Sequence, residues 1–134
     1  MKRSTRVWTS ALTFGALMVA KIANTKLGDP YVWGATGANA FDCSGFTQYL
    51  YKNGKNVNFP RTAQDQYDYE KHVSYNNIKP GNLVFFGNAP TAISHVGMYI
   101  GNGKMIDAQN RGVVIENVKA PWWNLVGCAK VNKF

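Results

Sequence analysis

The chain has 134 residues and a formal net charge of +8, with 15 Lys and Arg against 7 Asp and Glu. That length supports one domain with a single core and excludes two, while 46% hydrophobic and 13% aromatic content excludes a disordered chain. The basic excess suits anionic surroundings, whether nucleic acid, anionic lipid or an acidic polymer such as a bacterial wall, but outside Lys2, Arg3 and Arg6 the basic residues are scattered, which argues against nucleic acid.

The N-terminus supports two readings. Met1-Lys2-Arg3 followed by Ala11 to Ala20 has the basic and apolar parts of a secretory signal, which assigns residues 1–15 to an extension ahead of a domain over 16–134. Met18, however, stands where a cleavage site wants a small residue. The same stretch carried through Leu27 also reads as a helix of the domain, closed by Gly28 and Pro30, and this reading is favoured. No apolar run approaches the roughly 20 residues that span a membrane.

A Gly-rich loop over 29–39 leads into Asp42-Cys43-Ser44-Gly45-Phe46, where Asp42 is a good N-cap and Phe46, Tyr49 and Leu50 share a helical face. This helix ends near Lys52-Asn53-Gly54. A shorter one follows, with Thr62 as N-cap and 64–69 inside. The period then changes to that of strands: Leu83–Phe86, Ser94–Ile100, Lys104–Gln109, Val113–Val118 and Leu125–Asn132. Helices first and about five strands in an antiparallel meander afterwards make an α+β fold.

Cys43 falls in the first helical turn, where unpaired N–H groups and the helix dipole favour a thiolate. His95 lies on one predicted strand and Asp107 on the next, across Gly101-Asn102-Gly103. A thiol, an imidazole and a carboxylate in this order suit a cysteine hydrolase: nucleophile, base, and a group that orients the base. Whether His95 and Asp107 share a face depends on the turn type, which the residues leave open. Asp107 within an apolar strand is costly unless partnered. His72, in a polar stretch, reads as a surface residue, and Cys128 as a small buried one. There is no paired Cys or His spacing for zinc, and no cofactor is called for.

Pro30-Tyr31-Val32-Trp33-Gly34, Phe41 to Phe46, Pro60-Arg61-Thr62 with Gln66, Lys79 to Phe86, and His95 to Gly101 together resemble the successive motifs of the NlpC/P60 cysteine peptidases. The match runs from about residue 16 to 131. It implies a papain-like α+β fold and cleavage of peptidoglycan stem peptides, usually between γ-D-glutamate and the following diamino acid, by a protein secreted to the cell wall or periplasm. By the same resemblance Cys43 is the nucleophile, His95 the base, and Tyr31 lines the cleft. Asp42, Ser44 and Ser94 shape the subsite for the N-terminal part of the stem peptide, with Arg61 near it. Two positions depart from the family pattern. The third catalytic position, usually His, Asn or Gln, is Asp107, whose carboxylate should orient an imidazole and stabilise its protonated form at least as well as an amide. Asn82 stands where the motif usually has Asp. The alternatives are a thiol acyltransferase or amidase on another substrate, and a non-catalytic wall-binding module. A bare domain also fits a larger assembly such as phage or conjugation machinery.

Overall fold

Small residues at helical spacing decide how the first half packs. The computed structural model describes residues 14–131. Helix α1 (Phe14–Thr25) buries Ala16, Val19, Ala20 and Ala23, a stripe that lets a second helix approach closely. Its partner is α2 (Cys43–Lys55), which buries Phe46, Thr47, Leu50 and Tyr51. Gly54 permits the crossing, since a Cβ there would stand 2.7 Å from Val19 Cγ2 and 3.0 Å from Val19 Cα. The expected stop near Gly54 comes one residue later. The helix runs on to Lys55, and Asn56, in the left-handed region at φ 57°, closes it by donating its N–H to the Lys52 carbonyl. The stretch 14–25 is thus a packed helix; the rest of the signal-like segment, residues 1–13, lies outside the described residues. Helix α3 (Ala63–Tyr69) starts as expected, with Thr62 Oγ1 accepting the Asp65 N–H at 3.1 Å.

Six strands follow: β1 (Lys71–Val73), β2 (Leu83–Ala89), β3 (Ala92–Gly101), β4 (Lys104–Gln109), β5 (Gly112–Asn117) and β6 (Leu125–Lys130). They form one antiparallel sheet in the order β1-β6-β2-β3-β4-β5. The expected meander holds for β2 to β5, but β6 returns to pair with β2. The outer edge of β5 is already occupied: Gly28 donates its N–H to the Val113 carbonyl at 3.0 Å and Val113 donates to the Asp29 carbonyl at 2.9 Å. The sixth strand is β1, a polar segment read as surface, which pairs along β6. His72 is indeed exposed there, its ring 4.1 Å from that of Tyr67.

Alternation along the strands separates two apolar faces. Leu83, Phe85, Val96, Met98, Ile106, Ala108 and Ala129 face the helices, and α2 packs on both β3 and β4. Val84, Phe86, Tyr99, Met105 and Cys128 form a second cluster on the other face with Val118 and Trp123. Among the described residues no helix is long and apolar enough to cross a membrane.

The β3–β4 connection settles the parity that the residues left open. Asn102 and Gly103 both have positive φ, 54° and 74°, as a two-residue hairpin turn requires. Gly101 adds a bulge, so the pairing shifts from Gly101↔Lys104 to Tyr99↔Met105 and Met98↔Ile106. This register sets Asp107 opposite Gly97, on the face that carries His95. Without the bulge Asp107 would oppose Met98 and point at the helices. Replacing Gly54 by Ala should force α1 and α2 apart and cost about 1–3 kcal/mol, read as a lower urea midpoint at unchanged slope.

Candidate active site

The first turn of α2 is held from three sides by one carboxylate. Asp42 Oδ1 accepts the Gly45 N–H at 2.7 Å, the N-cap bond expected from the residue order. Asp42 Oδ2 accepts the Gly34 N–H at 3.0 Å, tying down the preceding loop. Arg61 grips both oxygens, Nη1 at 3.1 Å and Nη2 at 2.8 Å, and its Nη1 also donates to Ser44 Oγ at 2.8 Å. Burial works to raise Asp42, but the Arg61 guanidinium and the Gly45 and Gly34 N–H groups outweigh it and hold the carboxyl below its ordinary range. Cys43 itself is free and half-buried at the head of this turn.

Two further residues make that arrangement possible. Gly45 lets the loop lie across the helix, because a Cβ there would meet the Ala35 carbonyl oxygen at 2.2 Å. Gln66, fully buried, accepts from Thr47 Oγ1 at 2.8 Å and donates to the Ser44 and Pro60 carbonyls at 3.1 Å each. It thereby fixes the segment carrying Arg61 against the start of α2. Tyr31 is held by backbone bonds between 30–32 and Phe41. Burial, then the proximity of Cys43 and Asp42, pushes its phenol up.

His95 and Asp107 meet directly, with His95 Nε2 2.8 Å from Asp107 Oδ2. The imidazole is covered by Trp123, whose ring stacks on it at 4.1 Å and 6°, and flanked by Phe86. Gln64 secures the start of β3 by accepting the Ile93 N–H at 2.9 Å and donating to the Pro90 carbonyl at 2.8 Å. Asp107 is fully buried. Burial first, then the neighbouring carboxyl of Glu116, pushes it up to about 10.

The structure therefore joins Asp42, Ser44 and Arg61 in one network, sets Tyr31 near Cys43, and pairs His95 with Asp107. It packs the cysteine helix on the two strands carrying that pair. Ser94, next to His95 on β3, is exposed, its hydroxyl 3.5 Å from the Phe86 carbonyl. Cys128 is buried and free, and burial pushes its thiol up to about 11, which suits a structural residue. Among the described residues no group of three or more His, Cys, Asp or Glu is placed to hold a metal ion. Trp123 and Glu116 escaped the sequence reading. Glu116 carried the signal that marked Asp107, a lone carboxylate among apolar strand residues; Trp123 carried none.

Residues 28–130 match the NlpC/P60 family. The chain is 43% identical over 125 residues to the probable endopeptidase p60 of Listeria grayi, covering 92% of this chain and 24% of that protein. It is 38% identical over 108 residues to the bifunctional muramidase/DL-endopeptidase CwlT of Bacillus subtilis, covering 78% of this chain and 32% of that protein. The chain thus spans about a quarter to a third of these relatives. A crystal structure of an NlpC/P60 family protein from Bacillus cereus superposes with a TM-score of 0.82 at 31% identity, covering 87% of this chain and 40% of that one.

Asp42 titrates lower in the folded chain than in the unfolded one, so its contribution is present above the ordinary carboxylate value, about pH 4, and is lost as the pH falls through the lower folded value. Urea midpoints from pH 6 to pH 2 should show Asp42→Asn less stable at pH 6, by about 1 kcal/mol, with the gap closing in acid.

Proposed function

We propose that this chain, which belongs to the NlpC/P60 family, is a peptidoglycan endopeptidase that cuts stem peptides between γ-D-glutamate and the following diamino acid. The carrying observation is the 2.8 Å bond between His95 Nε2 and Asp107 Oδ2. It engages Nε2 and leaves Nδ1 to serve the sulfur. The DL-endopeptidase activity in the name of the CwlT relative supports the choice of bond.

In this mechanism the Cys43 thiolate attacks the γ-carbonyl carbon of D-glutamate. The first two N–H groups of α2, those of Cys43 and Ser44, have no intrahelical acceptor and are available to the oxyanion. As the tetrahedral intermediate collapses, the C–N bond breaks and His95 gives its Nδ1 proton to the departing amine. Water then attacks the acyl-thioester, His95 takes a proton from it, and collapse of the second intermediate releases the glutamate carboxylate and regenerates the Cys43 thiolate. Asp107 holds the imidazole by Nε2 through both halves. Tyr31 lines the cleft beside Cys43, and Asp42, Ser44 and Ser94 border the subsite for the N-terminal part of the stem peptide. Arg61 has its donors on Asp42 and Ser44, so its part is to hold the subsite walls in place. Such a reaction places the working protein outside the cytoplasm, at the wall, where its +8 charge favours an anionic polymer.

Mass spectrometry of soluble muropeptides should show new fragments with a free amine on the diamino acid. Cys43→Ala should abolish them, and His95→Ala should slow their formation by about 10²–10⁴, with unchanged circular dichroism in both. Activity retained in Cys43→Ala would overturn the reading. Saturable binding without turnover by the unaltered protein would replace it with a binding module, and a new ester or amide product with an acyltransferase.

A further inference from the structure

Glu116 is a second buried carboxyl beside the His95–Asp107 pair, and the mechanism above gives it no task. It is 8% exposed. The β4–β5 register sets Val114 opposite Asp107 and Glu116 opposite Met105, which makes Glu116 the diagonal neighbour of Asp107 on one face. Its oxygens are anchored: Oε2 accepts from Gln109 Nε2 at 3.0 Å, and Oε1 accepts from Trp122 Nε1 at 3.3 Å and faces Arg111 Nη2 at 3.7 Å. The buried Trp123 N–H makes no well-formed hydrogen bond, yet lies close enough to Glu116 to favour its charge. Asp107 Oδ2 is on His95, whereas its buried Oδ1 has no fixed donor and its carboxyl neighbour is Glu116.

Two adjoining buried carboxylates cannot both carry a charge at low cost. One proton between them removes one charge and satisfies the orphaned oxygen. We propose that Glu116 is a positioning residue for the peptidase reaction, acting on His95 through Asp107, with one proton held between the two carboxyl groups. The proposal rests on the assignment of His95 as base. With the proton on the Oδ1 side, Asp107 Oδ2 stays an acceptor for the His95 Nε2–H, and the anchored Glu116 fixes the plane of the Asp107 carboxyl. The charged and titratable groups facing the pair are His95 from β3 and Arg111 from the β4–β5 turn. The segment between β5 and β6 contributes the Trp122 and Trp123 indoles, with Lys119 turned instead to the Tyr75 ring.

The proton balance of folding tests this without any substrate. A carboxyl that keeps its proton in the folded chain contributes stability that is lost as the pH rises from the unfolded value toward the folded one. Between about pH 5 and 8 the pair should therefore make the folding constant fall by about a further tenfold per pH unit. Urea midpoints across this range should show the extra slope in the unaltered protein and its loss in both isosteric variants, Asp107→Asn and Glu116→Gln. Glu116→Gln with the original slope would mean that Asp107 keeps its proton by burial alone, and would overturn the proposal. In the pH profile of kcat/KM on muropeptides, Glu116→Gln should move the alkaline limb upward, because the charge then sits on Asp107 against the imidazolium. An unmoved limb with lowered stability would reduce Glu116 to a structural role and equally overturn it. A protein without hydrolysis would sink the peptidase reading, yet the slope of stability against pH would still be read.

Discussion

The Asp42 carboxylate ties together the three segments that surround Cys43. It closes the first turn of α2 through Gly45, holds the preceding loop through Gly34, and receives the Arg61 fork from the segment ahead of α3. Hydrogen bonds to a charged acceptor are the strong ones, and a bidentate guanidinium adds direction. Gln66 repeats the linkage below the surface with neutral bonds, so the same two segments are pinned twice. The sulfur thus sits on a turn pinned by these bonds, which is what the proposed nucleophile and its oxyanion donors need.

The sheet solves a different problem, that of keeping polar groups next to an imidazole inside an apolar domain. Its helix-facing side is apolar and belongs to the core. His95 and Glu116 share the strand face of Asp107, where Trp123 stacks on the imidazole and Phe86 lies beside it. Gly97 provides the room, since a Cβ there would lie 3.0 Å from Asp107 Cβ and 2.7 Å from Met105 Sδ. Two buried carboxyl groups beside one imidazole bring an extra buried charge. The bonds from Gln109 and Trp122 to Glu116, with Arg111 nearby, surround that charge with donors.

Much was legible along the chain because it rests on local rules. The caps at Asp42 and Thr62, a tight connection over Gly101-Asn102-Gly103 and the change from helical to strand period are each dictated by a few neighbouring residues. Cys43 and His95 were singled out by what surrounds them in the chain, and Asp107 by the cost of a carboxylate in an apolar strand. Gly54, one residue before the end of the helix, also serves a close contact with Val19 that no local pattern announces.

By itself, then, the sequence determined the α+β class, the cysteine at a helix start, and the identity of the imidazole and carboxyl candidates. Only the tertiary structure decided that β6 pairs with β2, because the edge of β5 is covered by the segment after α1. It likewise decided the face of Asp107, through a one-residue bulge at Gly101. The partnership of Asp107 with Glu116 and the stacking of Trp123 on His95 also waited on the fold. Register, edge occupancy and long-range ring contacts depend on residues far apart in the chain, and no local pattern encodes them.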